Sequence, residues 1–199
     1  EAPLFPQDVI DRSVESFWAN QEAMDYMFGR GFDEETLRHF EIGYSAKQDM
    51  VMVPMHDHSG RPIGVVGRGL HEKVFKNSPG LQKSKHLFNL NRAKKAGSTV
   101  VIVEASFDTM MVHQAGFPNS IAILGGNATP NHYDLIERYF DTVIIMTDFD
   151  DKDRHRYNNC KKCHRLGYEG CIGHNPGREL GHALELGLRS MNVEWAYYG

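Results

Sequence analysis

Apolar positions along the first forty-five residues, Val9, Val14, Phe17 and Trp18 among them, recur at helical spacing. Asp33-Glu34-Glu35-Thr36-Leu37 opens a further short helix there, with Asp33 placed to cap it. The period then changes to that of strands: Met50 to Met55 and Ile63 to Gly67 are apolar runs joined by the turn-rich Asp57-His58-Ser59-Gly60, which predicts a hairpin. His56-Asp57-His58 sits in that predicted turn, and its histidines read as solvent-exposed rather than as a ligand pair. Residues 73–90 are polar and interrupted by Ser78-Pro79-Gly80, so a loop with little regular structure is expected.

From Ser98 onward strand and helix patterns alternate. Thr99 to Val103 is a β-branched run suited to a strand buried on both faces, followed by a helix over Phe107 to Gln114 that Gly116 closes. Strands are expected over Ser120–Leu124, Thr142–Met146 and Val193–Tyr198, and helices over Pro130–Tyr139 and Arg178–Arg189. This series predicts an α/β fold with a Rossmann-like parallel sheet over residues 98–199, preceded by a smaller α+β unit over 1–97. Lys94-Lys95-Ala96-Gly97 marks the boundary.

Composition adds two exclusions. The 199 residues are 41% hydrophobic and 24% charged, ordinary for a globular chain able to bury a core. No apolar run approaches the roughly eighteen residues of a membrane span, so no membrane role is expected. Three cysteines do not make a disulfide framework, which favours a reducing compartment such as the cytoplasm.

The net charge of −4 argues against a polyanionic partner until it is resolved along the chain. Between Arg61 and Lys95 stand nine Lys or Arg against one acid, Glu72, a local charge of +8; the rest of the chain therefore carries −12. A solvated polar surface would explain a milder asymmetry. This one suggests that one part holds a polyanion and another holds metal.

In open α/β sheets the functional crevice lies beyond the carboxyl ends of the strands. Glu104 stands at the end of the first predicted parallel strand, with Asp108 a helical turn further on, and Asp148-Phe149-Asp150 follows the third. Residues two apart in an extended segment face the same way, so Asp148 and Asp150 can converge. Any one of these acids could be a helix cap or turn former. Together they suit a hard cation, Mg²⁺ or Mn²⁺, and metal-assisted phosphoryl or nucleotidyl transfer.

These residues resemble a known family. Val101-Ile102-Val103-Glu104-Ala105-Ser106-Phe107-Asp108, Leu124-Gly125 and Asp148-Phe149-Asp150 are similar to the Glu and Asp-x-Asp motifs of the TOPRIM domain shared by DnaG-type primases, topoisomerases and some nucleases. Further upstream, Arg30 to Glu35, Phe40 to Tyr44, Val53-Pro54-Met55 with Gly60 to Gly64, Gly67-Arg68, Asn77-Ser78-Pro79 and Lys83 to Leu90 resemble the basic half of the primase RNA-polymerase core. The resemblance covers roughly residues 20–150 and resumes near 177. It implies RNA primer synthesis on single-stranded DNA from ribonucleoside triphosphates by two-metal catalysis. Glu104, Asp148 and Asp150 would be catalytic, and Glu104, Asp108, Asp148 and Asp150 would hold Mg²⁺ or Mn²⁺. Arg68, Lys73, Asn77, Lys83 and Lys85 would guide template or nucleotide, with Lys76 close enough to Lys73 to compete for its role. A replicative helicase would be a partner through flanking regions, and a phage origin, hence a bacterial host cytoplasm, would fit the divergence.

The sequence departs from the family pattern at Ala105 and Phe149, where glycine is usual, and in the short Ser45–Asp49 segment ahead of the hairpin, where further arginines are usual. Two other readings therefore stand beside primer synthesis: a TOPRIM nuclease using the same acids, and a catalytically weakened nucleic-acid-binding module.

All three cysteines fall in an insertion over about residues 154–177. Cys160-x2-Cys163 and Cys171-x2-His174 pair two knuckles at the spacing of a closed tetrahedral site, which predicts one structural Zn²⁺, with His164 in reserve. Cys160-Lys161-Lys162-Cys163-His164 also matches a haem-attachment string, which would require secretion and an axial partner.

Overall fold

The computed structural model describes residues 5–148 and 175–196. Asp150 and the four expected zinc ligands, Cys160, Cys163, Cys171 and His174, lie outside the described residues.

Three helices open the fold: α1 (Gln7–Trp18), α2 (Gln21–Gly29) and α3 (Glu34–His39). Asn20 and Asp33 cap the second and third, their side chains accepting from the amides of Ala23 and Thr36 at 2.8 and 2.7 Å. Four strands follow, β1 (Gly43–Ser45), β2 (Met50–His56), β3 (Pro62–Gly69) and β4 (Phe75–Asn77), paired antiparallel in the order β1-β2-β3-β4. The expected hairpin is β2 and β3. Two short strands were not anticipated: β1 lies at the end of the stretch read as helical, and β4 lies in the stretch read as loop. Three-residue strands give too short a periodic signal, and both exist because β2 and β3 offer edges to pair with.

The hairpin turn also differs from expectation. His56 and Asp57 are buried, and the Asp57 carboxylate accepts from the amides of Ser59 and Arg61 and from the Arg61 side chain. His56 lies 3.4 Å from the Glu41 carboxylate, which also accepts from Arg92 at 3.2 Å.

After a 3₁₀ turn (Lys83–Lys85) and the single-turn α4 (Leu90–Ala93) comes the α/β part: β5 (Thr99–Val103), α5 (Ser106–Gln114), β6 (Ser120–Ala122), α6 (Pro130–Tyr139), β7 (Thr142–Ile145), α7 (Pro176–Gly187) and β8 (Asn192–Trp195). The four strands are parallel in the order β6-β5-β7-β8, so β5 is central. Gly116, at φ 97°, ends α5 as expected.

Alternation along β5 divides the core. Val100 and Ile102 face a cluster with Leu90, Ile136, Leu180 and Leu184, from α4, α6 and α7. Val101 and Val103 face the other way, into a cluster that includes Met110 of α5, Phe17, Phe40 and Val53. The antiparallel part and the parallel sheet thus share one apolar interior, and each fully buried side chain of this size contributes roughly 1.5–3 kcal/mol. That shared core sets residues of β3 and β4 across a cleft from the carboxyl ends of β5 and β7.

Candidate active site

Glu104 is the first residue past β5, and both neighbouring strands hold it. Its carbonyl accepts from the Leu124 amide at 2.9 Å on the β6 side. Its side chain accepts from the Asp148 amide at 3.0 Å on the β7 side. Leu124 adopts a left-handed conformation, φ 58°, unfavourable for a leucine and worth about 1–3 kcal/mol of strain. The adjacent core and the bond to Glu104 hold it there.

Asp108 sits in the first turn of α5, where its carboxylate accepts from the Ala105 amide at 3.0 Å. Burial raises its pKa above the ordinary carboxylate value; the Ala105 amide opposes the shift, the Asp148 charge adds to it and Arg30 opposes it again. Asp108 and Asp148 are therefore close enough to repel one another. Such crowded carboxylates have the donor chemistry of a hard divalent cation, which would relieve the repulsion. Among the described residues no three His, Cys, Asp or Glu side chains close on one point as a metal site would. Asp150, the remaining expected donor, is outside them.

Gly177 in the first turn of α7 packs directly on this group. A Cβ at that position would lie 2.5 Å from Glu104 Oε1 and 2.7 Å from the Asp148 carbonyl carbon, with the Asp148 oxygen closer still. Only a glycine lets the helix come this near.

Opposite the acids stands a basic wall. Arg68 on β3 pairs in register with Phe75 on β4. Its guanidinium lies 4.6 Å from the centre of the Phe75 ring, and its Nε donates to the Tyr26 hydroxyl at 3.3 Å. Arg30, at the end of α2, lies over Phe107 at 5.1 Å and Tyr26 at 5.6 Å. A cleft of about 440 Å³ is lined by these cations, Arg30 and Arg68, with Lys73, by Asp108 and Asp148, and by Val53 and Val66 among its apolar residues.

Of the residues expected from sequence, Arg68, Lys73, Asp108 and Asp148 meet in this cleft, with Glu104 directly behind Asp148. Others go elsewhere. Lys76 and Asn77 line a second cleft of about 600 Å³ with Met52 and Val65, which face away from Val53 and Val66 by strand alternation. Lys83 and Lys85 lie in the 3₁₀ turn, docked on the start of α6: the Lys83 carbonyl accepts from His132 Nε2 at 2.8 Å and the Ser84 carbonyl from the Thr129 hydroxyl at 2.6 Å. Arg30 was missed as a site residue. It lies outside the basic stretch counted from Arg61, and only its place in Arg30-Gly31-Phe32 marked it.

Residues 98–152 match the family model of the Toprim domain. The DNA primase of Deinococcus radiodurans is 30% identical over a match covering 64% of this chain and 31% of its own length. That of Aquifex aeolicus is 28% identical, covering 73% and 38%. The solved structure of the Aquifex aeolicus primase, with its zinc-binding and RNA polymerase domains, superposes with a TM-score of 0.77 at 25% identity, over 96% of this chain and 53% of that one. The chain is similar to Toprim domains over that stretch and resembles the catalytic core of DnaG-type primases. A DnaG primase catalytic domain solved with single-stranded DNA shares the fold, with a TM-score of 0.72 at 20% identity. The chain spans under two fifths of either curated relative. No helix among the described residues is long and apolar enough to cross a membrane.

Proposed function

We propose that the chain catalyses RNA primer synthesis: nucleotidyl transfer from ribonucleoside triphosphates on a single-stranded DNA template. The observation that carries this reading is the 440 Å³ cleft, in which three cations face two crowded acids. Arg30, Arg68 and Lys73 would bind the triphosphate and template phosphates, where charge-assisted hydrogen bonds are strongest. Asp108 and Asp148, with Glu104 and Asp150, would hold Mg²⁺ or Mn²⁺, which supplies charge neutralisation at the triphosphate and a lowered pKa at the attacking hydroxyl.

In the reaction the ribose 3′-oxygen forms a bond to the α-phosphorus as the bond from that phosphorus to the β-phosphate oxygen breaks. The hydroxyl proton passes to water or a carboxylate, and pyrophosphate leaves. Glu104, locked between two strands, keeps the Asp148 backbone in place through this exchange. Arg30, near Asp108, offsets part of the charge that the acids accumulate. A nuclease would need the acids alone, whereas similarity to primases extends over the basic wall; this favours primer synthesis. The same reading places the work in a bacterial cytoplasm, with a helicase engaged through regions flanking this chain. The spacing of Cys160, Cys163, Cys171 and His174 supports one structural zinc, which metal analysis of protein purified without chelator would detect.

The direct test is to incubate the protein, with its flanking domains, with single-stranded DNA, ribonucleoside triphosphates and Mg²⁺ or Mn²⁺. Short template-dependent RNA is expected. DNA cleavage without any need for triphosphates, or DNA binding with no synthesis, would overturn the reading.

A further inference from the structure

Phe75 is 58% exposed, yet it stands in a cleft otherwise lined by charge and by packed apolar residues. Its strand is an edge strand with all three residues exposed, and among the described residues the ring is left largely open. Its orientation is nonetheless controlled. Arg68 lies against one face at 4.6 Å, and Arg68 is itself tied to the Tyr26 hydroxyl, so the ring and guanidinium form a fixed two-layer stack. With one face taken, the exposure belongs to the rest of the ring, and that ring lines the same cleft as Lys73, Asp108 and Asp148. A flat π face beside cations is the chemistry that receives a nucleobase while its phosphates are held nearby.

We infer that Phe75, backed by Arg68, is a stacking platform for an unpaired nucleobase entering the cleft. The inference rests on the nucleotidyl-transfer reading and deepens it by assigning the base, rather than the phosphates, to a named side chain. Stacking of this kind tolerates any base, because every base has a π face, and contributes affinity without reading sequence. The base could belong to the strand or to a free triphosphate; the chemistry is shared, and the probes below separate the two.

The test compares the wild type, Phe75→Leu and Phe75→Trp. The leucine keeps an apolar side chain of similar reach without a π face; the tryptophan keeps the face. Because the position is exposed, both variants should unfold at the same temperature as the wild type. Four probes are titrated: a short single-stranded deoxyoligonucleotide, an abasic strand of equal length, ATP and inorganic triphosphate. Phe75→Leu is expected to weaken at least one base-bearing probe about tenfold, with Phe75→Trp restoring it, while the abasic strand and inorganic triphosphate bind unchanged. Loss confined to the oligonucleotide assigns the platform to the strand; loss confined to ATP assigns it to the incoming nucleotide. Equal loss for base-bearing and baseless probes, or loss for none, overturns the platform and leaves primer synthesis standing. A wild type that binds neither oligonucleotide nor ATP overturns both.

Discussion

The two walls of the cleft are built on different principles. The acidic wall is short side chains on a rigid frame: Glu104 is bonded to the segments on either side of it, Asp108 is bonded to the start of its own helix, and α7 closes on Glu104 and the Asp148 backbone through a bare glycine. The basic wall is long side chains gathered from three places, with Arg30 at the end of α2 and Arg68 on β3 positioned by aromatic rings and Lys73 in the segment leading into an exposed edge strand. The difference matches the two tasks proposed. Directing a reaction at one phosphorus needs acids fixed to fractions of an ångström, because small displacements are costly. Holding a polyanion that must slide by one nucleotide needs charge without fixed geometry.

If the acidic wall is catalytic, its substitutions should produce the largest effects and those of the basic wall smaller ones. Glu104→Gln and Asp148→Asn should each lower primer synthesis by at least ~100-fold, since several kcal/mol of charge stabilisation are at stake, with the far-ultraviolet dichroism unchanged. Near-normal synthesis in either would remove the comparison altogether.

Gly177→Ala asks whether the rigidity itself matters. The added methyl would overlap Glu104 Oε1 and the Asp148 backbone, so α7 must move off or the acids must shift. A loss of about 1–3 kcal/mol in stability is expected, with synthesis reduced by more than that loss alone accounts for. Denaturant unfolding and turnover on the same preparation separate the two.

On the basic wall, Lys73→Ala should raise the KM for nucleoside triphosphate about tenfold with little change in kcat, as expected when one charge-assisted phosphate contact is lost. Lys76→Ala should leave that KM near its original value, because Lys76 lines the opposite cleft. Equal effects from the two lysines would mean that the 440 Å³ cleft is not where triphosphate binds.

The smallest effect concerns the end of α3, at the rim of the shared core, rather than either wall. His39, stacked on His113 at 4.3 Å, has its pKa lowered to about 4 by burial, then by the charges of His113 and Arg92; His113 is itself lowered, chiefly by burial. A histidine whose folded pKa lies below its unfolded value of 6.5 contributes stability that is present above pH 6.5 and is lost as pH falls towards 4. Chemical denaturation should show stability declining across that window, and His39→Gln should flatten the decline.

Much of this was legible in the chain. The β-branched run Thr99–Val103, the Asp33 cap and the acids placed after strands all rest on local rules that tertiary contacts did not override. The short strands β1 and β4 were not legible, since three residues form a strand only when a longer neighbour supplies the hydrogen bonds. The burial of His56 and Asp57 was hidden for a related reason: a turn rich in polar residues reads as exposed, yet here Asp57 satisfies the turn's own amides.

By itself the sequence determined which chemistry the molecule carries: carboxylates at the ends of parallel strands and a basic stretch ahead of them. Residue type, period and charge are local properties, and they survive in one dimension. Tertiary structure alone decided which charges meet. It put Lys73 and Lys76, three residues apart, in different clefts: Lys73 lies ahead of β4, and Lys76 on β4 faces away from its neighbour Phe75, which lines the cleft of Lys73. It brought Arg30 to Asp108 across the shared core, and it turned Gly177 from an unremarked helix residue into the contact that holds Glu104 and Asp148 in place. Such proximities depend on how two sheets pack, which no single segment of the chain encodes.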